Sequence, residues 1–271
     1  MTPGVSSLAP QGFWGPVTST VDWCEANYEH TRYVCELYNT LSSAAMVLAG
    51  ALGVYLHRRT LERRFAVAFC AVAVVGIGSM AFHATLKFRL QMLDELPMLY
   101  TALVMIYVLL ENERRPRFGA WLPAALGAHG VLVTSLSSMT RGALQFYFFQ
   151  VSFASMEFFA LYRVYRIYRR SDLDLVRRLF RAGMAAYGVA VGLWMLDLKA
   201  CGVLGGLLPA HRVPNPQLHA WWHVLVSCGL YLLTLVIACD RLQVLGSPPE
   251  LRRFAGVVPY VAVSAPPTAR G

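Results

Sequence analysis

At 271 residues, 56% hydrophobic and only 14% charged, the chain is too apolar for an ordinary water-soluble domain. Its net charge of +9 invites a nucleic-acid partner, but the basic residues collect in short loops between long apolar blocks. That distribution is a membrane-topology signal and implies no nucleic acid.

Residues 1–12, rich in Pro, Ser and Gly, read as a mobile end, and no apolar signal-peptide core follows, so the first span must direct insertion itself. The run DWCEANYEHTRYVCE, residues 22–36, gathers Asp22, Glu25, Asn27, Glu29 and Glu36. Hard oxygen ligands this dense suit Ca²⁺, although the EF-hand spacing is missing; a solvated acidic cap is the alternative. Hydropathy then places spans at 37–56, 65–86, 93–110, 120–138, 146–168, 182–198 and 218–239, each near the ~20 residues a bilayer helix needs. Small residues such as Ser42, Ser43, Gly76, Gly78 and Gly183 allow these helices to approach closely. Two spans are short and the fifth carries Arg163 and Arg166, so six spans is the fallback to seven. Residues 13–245 form one membrane domain, and 246–271, rich in Pro, Ser, Gly and Ala, read as a second mobile end.

The expected architecture is therefore an all-α membrane protein, a seven-transmembrane helix bundle. With seven spans, one face receives 18 of the 24 lysines and arginines, which puts the C-terminus in the cytosol and the N-terminus in the lumen or outside. Six cysteines form no CxxC pair; Cys70, Cys228 and Cys239 fall in spans, while Cys24, Cys35 and Cys201 fall on the face where oxidation is permitted.

Ionisable groups inside spans are costly and mark functional candidates. His219 and His223 in LHAWWHVL share one helical face at the mouth of the seventh span, and Ser79 and His83 in GIGSMAFHATL share one in the second. The topology brings His83, His219, His223 and Asp94 to one side at similar depth, provided that the chain reverses around Lys87–Gln91. Three imidazoles with an open fourth position make a catalytic zinc arrangement. Such a zinc generates a nucleophilic water and polarises a carbonyl, a carboxylate such as Asp94 moves the proton, and a hydroxyl such as Ser79 stabilises an oxyanion. The bland readings are Asp94 as a cap of the third span, with Pro97 in its first turn, and Ser79 bonded to the carbonyl one turn back. His30, His57, His129 and His211 show no partner pattern and read as ordinary loop or packing residues.

The runs FWGPVTSTVDWCEANY, GIGSMAFHATLKFRLQMLDELPMLY and QLHAWWHVL resemble the alkaline ceramidases, over most of residues 13–245. The resemblance implies a seven-span intramembrane amide hydrolase that splits ceramide into a sphingoid base and a fatty acid, in endoplasmic reticulum or Golgi membranes. It implies zinc on His83, His219 and His223, catalytic Ser79 and Asp94, and a stimulatory calcium on Asp22, Glu25, Asn27 and Glu36 with the Trp23 main-chain carbonyl. It also implies a Cys24–Cys201 disulfide. The expected partners are ceramide and other membrane sphingolipids, with no obligatory protein partner. Rival readings are an adiponectin-receptor-like zinc receptor, which carries a cytosolic N-terminal domain, a GPI-lipid remodelling hydrolase without the acidic segment, and a signalling receptor without chemistry.

Overall fold

A computed structural model describes residues 12–264; most of the expected mobile N-terminal end and the last seven residues lie outside the described residues. Helices dominate: α1 (Leu37–Ser42), α2 (Ala44–His57), α3 (Arg63–Thr85), α4 (Phe88–Leu110), α5 (Trp121–Met139), α6 (Gly142–Arg170), α7 (Asp174–Gly202), a π-helical turn at Val203–Leu207, the short α8 (Leu208–Ala210) and α9 (Leu218–Leu245). Among the described residues, six segments are long and apolar enough to cross a membrane: Leu37–His57, Arg63–Thr85, Phe88–Leu110, Trp121–Met139, Asp174–Leu207 and Leu218–Leu245. The expected span 146–168 lies inside α6, which is long enough but carries Glu157 and four arginines, Arg163, Arg166, Arg169 and Arg170. Even so, α6 runs the length of the bundle. At its start Gln145 donates to Glu95 of α4 (2.5 Å), and at its end Arg170 pairs with Asp240, five residues from the end of α9 (2.6 Å).

Polar side chains shape the first span. Thr40, Ser42 and Ser43 turn their hydroxyls back onto the carbonyls of Glu36 and Asn39 at 2.6–3.1 Å, which interrupts the helix at Ser43. Hydroxyl groups that bond back along the backbone bend helices in this way. The reversal between α3 and α4 is tight: Leu86 is left-handed (φ 48°) and Lys87 already caps α4. The two helices then touch at Gly78, where an added Cβ would lie 1.8 Å from the Leu93 carbonyl oxygen. Phe65, Phe69, Leu99, Ile106, Val164 and Leu235 join α3, α4, α6 and α9 in the main apolar core.

The tail requires a correction. Residues expected to be mobile beyond 246 form an antiparallel hairpin of β1 (Pro249–Phe254) and β2 (Val258–Val263), turned by left-handed Ala255 and Gly256. The apolar run VPYVAV finds a surface on α2 and α9, and burying it offsets the entropy of ordering the strand. Val261 is fully buried and its N–H donates to His57 Nε2 (3.1 Å), while the Tyr231 hydroxyl donates to the Pro259 carbonyl (2.8 Å). His57, an ordinary residue by its sequence context, anchors the hairpin.

Candidate metal centre

Helix α3 delivers His83 from its last turn, and α9 delivers His219 and His223 from its first two turns. One ring nitrogen from each lies within 4.8 Å of the others, and all three side chains are buried. No other group of three His, Cys, Asp or Glu converges this closely among the described residues. His83 Nδ1 lies 2.5 Å from Glu36 Oε2. With that carboxylate accepting, Nδ1 carries the proton and Nε2 is left as a lone-pair ligand, the usual carboxylate–imidazole support of a metal site. His223 Nδ1 lies 2.9 Å from Ser42 Oγ, and His219 stacks on Trp23 with ring centroids 3.6 Å apart.

His83 Nε2 and His219 Nδ1 are buried with no hydrogen-bond partner among the described residues. Buried polar atoms are rarely left unpaired without a reason, and here two belong to the same three-histidine cluster. Neutral imidazoles without thiolates suit zinc, so the donor set fits that ion.

Ser79 lies one turn before His83, and the close approach of α3 to α4 at Gly78, where an added Cβ would lie 3.2 Å from the Asp94 backbone nitrogen, brings Asp94 of α4 to the same cavity as Ser79. The capping alternative for Asp94 fails, because α4 begins at Phe88 and both Asp94 and Pro97 are interior to it. Ser43 Oγ lies 3.0 Å from Ser79 Oγ and 3.3 Å from His223 Nδ1, tying the hydroxyl and the imidazole together. Ser79, Asp94, His219 and His223 line one end of a cavity of about 260 Å³. Its walls run inward along Met46, Val72, Val75, Met98, Phe149, Phe153, Val226 and Leu230 and are overwhelmingly apolar. Farther along, Glu157 accepts from the Tyr187 hydroxyl (2.9 Å), a polar pair in this otherwise hydrocarbon-like space.

The acidic segment packs against the same end. Glu36 Oε1 accepts from the Trp23 N–H (3.2 Å), and Asn27 Nδ2 donates to Asp22 (3.1 Å). Glu25 accepts from the N–H groups of Tyr38 and Asn39 in the first turn of α1 (2.7 and 2.8 Å). Burial pushes the Glu25 carboxyl up to about 7, and burial reinforced by the Asp22 charge pushes Glu36 well above the usual carboxylate range. None of Asp22, Glu25 and Glu36 meets a lysine or arginine within 4.0 Å among the described residues. Acidic groups gathered without a lysine or arginine partner fit a cation. Their oxygens do not converge as the imidazoles do, however, and Asn27 turns its amide nitrogen toward Asp22 while its Oδ1 faces the Cys35 thiol.

Cys24 and Cys201 are bonded, tying this segment to the end of α7. The Cys24 carbonyl also accepts from Asn215 (2.6 Å) and its N–H donates to Asp197 (3.2 Å). Non-reducing peptide mapping of protein from an oxidising compartment is expected to recover Cys24 joined to Cys201; finding both thiols free would refute the link. Sequence reasoning missed the Glu36–His83 contact and the roles of Ser42 and Ser43. It also missed a polar network in which Gln91 and Gln145 both donate to Glu95 (2.8 and 2.5 Å) and Thr20 donates to Gln145 (2.7 Å). Gln91 and Glu95, four residues apart in an apolar helix, were a readable signal of it.

The chain matches the family model described as Ceramidase over residues 15–262. It is 31% identical to the Arabidopsis thaliana protein "Alkaline ceramidase", covering 99% of this chain and 100% of that one. It is 32% identical to the Mus musculus protein "Alkaline ceramidase 3" (93% and 94%) and 29% identical to "Alkaline ceramidase YPC1" of Saccharomyces cerevisiae (86% and 79%).

Proposed function

The chain belongs to the ceramidase family, and from that membership we propose that it hydrolyses the amide bond of ceramide in the membrane, releasing a sphingoid base and a fatty acid, at a zinc held by His83, His219 and His223. The observation that carries this reading is the convergence of three buried imidazoles, two with unpaired nitrogens, beside Ser79 and Asp94 at one end of an apolar cavity. Zinc in such a site polarises the carbonyl and makes water a better nucleophile.

The residues of the chain do the rest. Asp94 accepts the proton of the attacking water and returns it to the departing sphingoid amine. Ser79 donates a hydrogen bond to the oxyanion as the carbonyl becomes tetrahedral. Glu36 holds the proton on His83 Nδ1 and fixes the ring's orientation. The apolar walls accept hydrocarbon and exclude water from the reacting carbonyl.

We propose that α6 crosses as the fifth of seven spans, because it extends from the level of Gln145 and Glu95 to that of Arg170 and Asp240. The histidine end then faces a lumen and the C-terminus the cytosol. The loop charge asymmetry and the Cys24–Cys201 bond, which suits an oxidising endoplasmic reticulum or Golgi lumen, support this orientation. The direct test presents purified protein with a panel of ceramides, with and without EDTA, and quantifies free sphingoid base. Release that EDTA abolishes and zinc restores is the expected result; EDTA-insensitive release would overturn the metal assignment.

Calcium on Asp22, Glu25, Asn27, Glu36 and the Trp23 carbonyl would relieve the repulsion among buried carboxylates and brace the histidine end. Thermal stability and turnover are both expected to rise with free calcium, and Asp22→Asn to flatten both curves while zinc content stays at one per chain. Glu36→Gly removes the His83 support as well, so it is expected to lose calcium response and about 10- to 100-fold in zinc affinity or activity. Calcium-independent curves in the wild type, matched by those of Asp22→Asn, would return the segment to a solvated acidic cap.

A further inference from the structure

At the end of the bundle opposite the histidines, α6, α9 and the loop after α4 enclose a cleft of about 1250 Å³. Six arginines line it, Arg114, Arg117, Arg163, Arg166, Arg169 and Arg170, against two carboxylates, Glu113 and Asp240. Both carboxylates are engaged, Glu113 by Arg117 (3.5 Å) and Asp240 by Arg170 (2.6 Å). Arg163, Arg166 and Arg169 meet no carboxylate within 4.0 Å among the described residues. Among the described residues, Arg166 and Arg169 hydrogen-bond only the hydroxyls of Tyr162 and Tyr165, one turn back along α6 (3.0 and 2.8 Å).

Charges of one sign three and four residues apart on a helix repel, so this concentration of guanidinium groups is a cost that an anion relieves. Guanidinium groups are matched to phosphate, which they grip through paired N–H donors. Depth narrows the source. Asp240 is 21 residues along α9 from His219, about 30 Å at helical rise, the thickness of a bilayer's hydrocarbon core. The half-exposed Tyr162 and Tyr165 sit at the cleft's edge, as aromatic residues do at headgroup level. We propose that this cleft binds clustered phosphates, presented by an anionic lipid headgroup in the leaflet opposite the histidine centre. The site does not depend on the hydrolase reading.

The test uses full-length protein in phosphatidylcholine nanodiscs with and without phosphatidylinositol 4,5-bisphosphate, alongside soluble inositol 1,4,5-trisphosphate, for wild type and R166Q/R169Q. The double variant leaves the Arg170–Asp240 pair in place, and a melting temperature no lower than that of the wild type checks the fold. Wild type is expected to bind the phosphoinositide with salt-sensitive affinity, and the variant about 100-fold more weakly, tenfold per lost charge-assisted contact. Equal, arginine-dependent binding of the soluble trisphosphate would keep the phosphate site and assign it a soluble ligand. Binding of neither probe, or equal binding by wild type and variant, would overturn the proposal.

Discussion

Alanine at His219 or at His223 is expected to abolish ceramide hydrolysis and to empty the centre of zinc, while the chain still reaches the membrane. The two residues project from one face of α9, and both are buried against His83, so losing one leaves two ligands where a catalytic zinc takes three from the protein. The membrane fold does not hang on them, since the main apolar core is built from α3, α4, α6, α7 and α9 residues elsewhere along those helices. Metal analysis of the purified variants, read beside sphingoid-base release, decides the matter. Stoichiometric zinc with normal turnover in either variant would end the metal assignment.

Asp94→Asn is the complementary experiment. Asparagine keeps the shape of the side chain on α4 and leaves the Gly78 contact and the imidazole cluster untouched, so zinc is expected to stay bound. What is lost is the proton transfer, worth about 10²- to 10⁴-fold in turnover for a general acid–base group. Near wild-type activity of this variant across pH would assign the base elsewhere.

Much of this was legible in the sequence, for identifiable reasons. A span must be a long apolar helix, and a four-residue interval on a helix is a spatial statement, so α3, α4 and α9 and the pairing of His219 with His223 could be read directly. The return of Asp94 toward the His83 end of α3 was expected from a reversal around Lys87–Gln91, and the reversal falls just ahead of it, at Leu86–Lys87. Other features depended on tertiary partners. Nothing in the run before α1 says that Glu36 reaches His83, 47 residues away. The interruption at Ser43 arises from hydroxyls choosing carbonyls over other partners. The hairpin at 249–263 was hidden by its proline-rich surroundings, although the apolar run VPYVAV after a glycine turn was a strand signal.

Glu36 belongs to two neighbourhoods at once: one oxygen receives the Trp23 N–H of the acidic segment and the other meets His83. A shared group would make the two proposed ion sites thermodynamically linked. If an occupied acidic segment tightens the hold on zinc by some factor, an occupied histidine centre must tighten the hold on calcium by that same factor. Lumenal calcium would then act through the occupancy of the catalytic ion as well as through the rate of the loaded enzyme. Chelating either ion is expected to loosen the other, a reciprocity that paired titrations can measure.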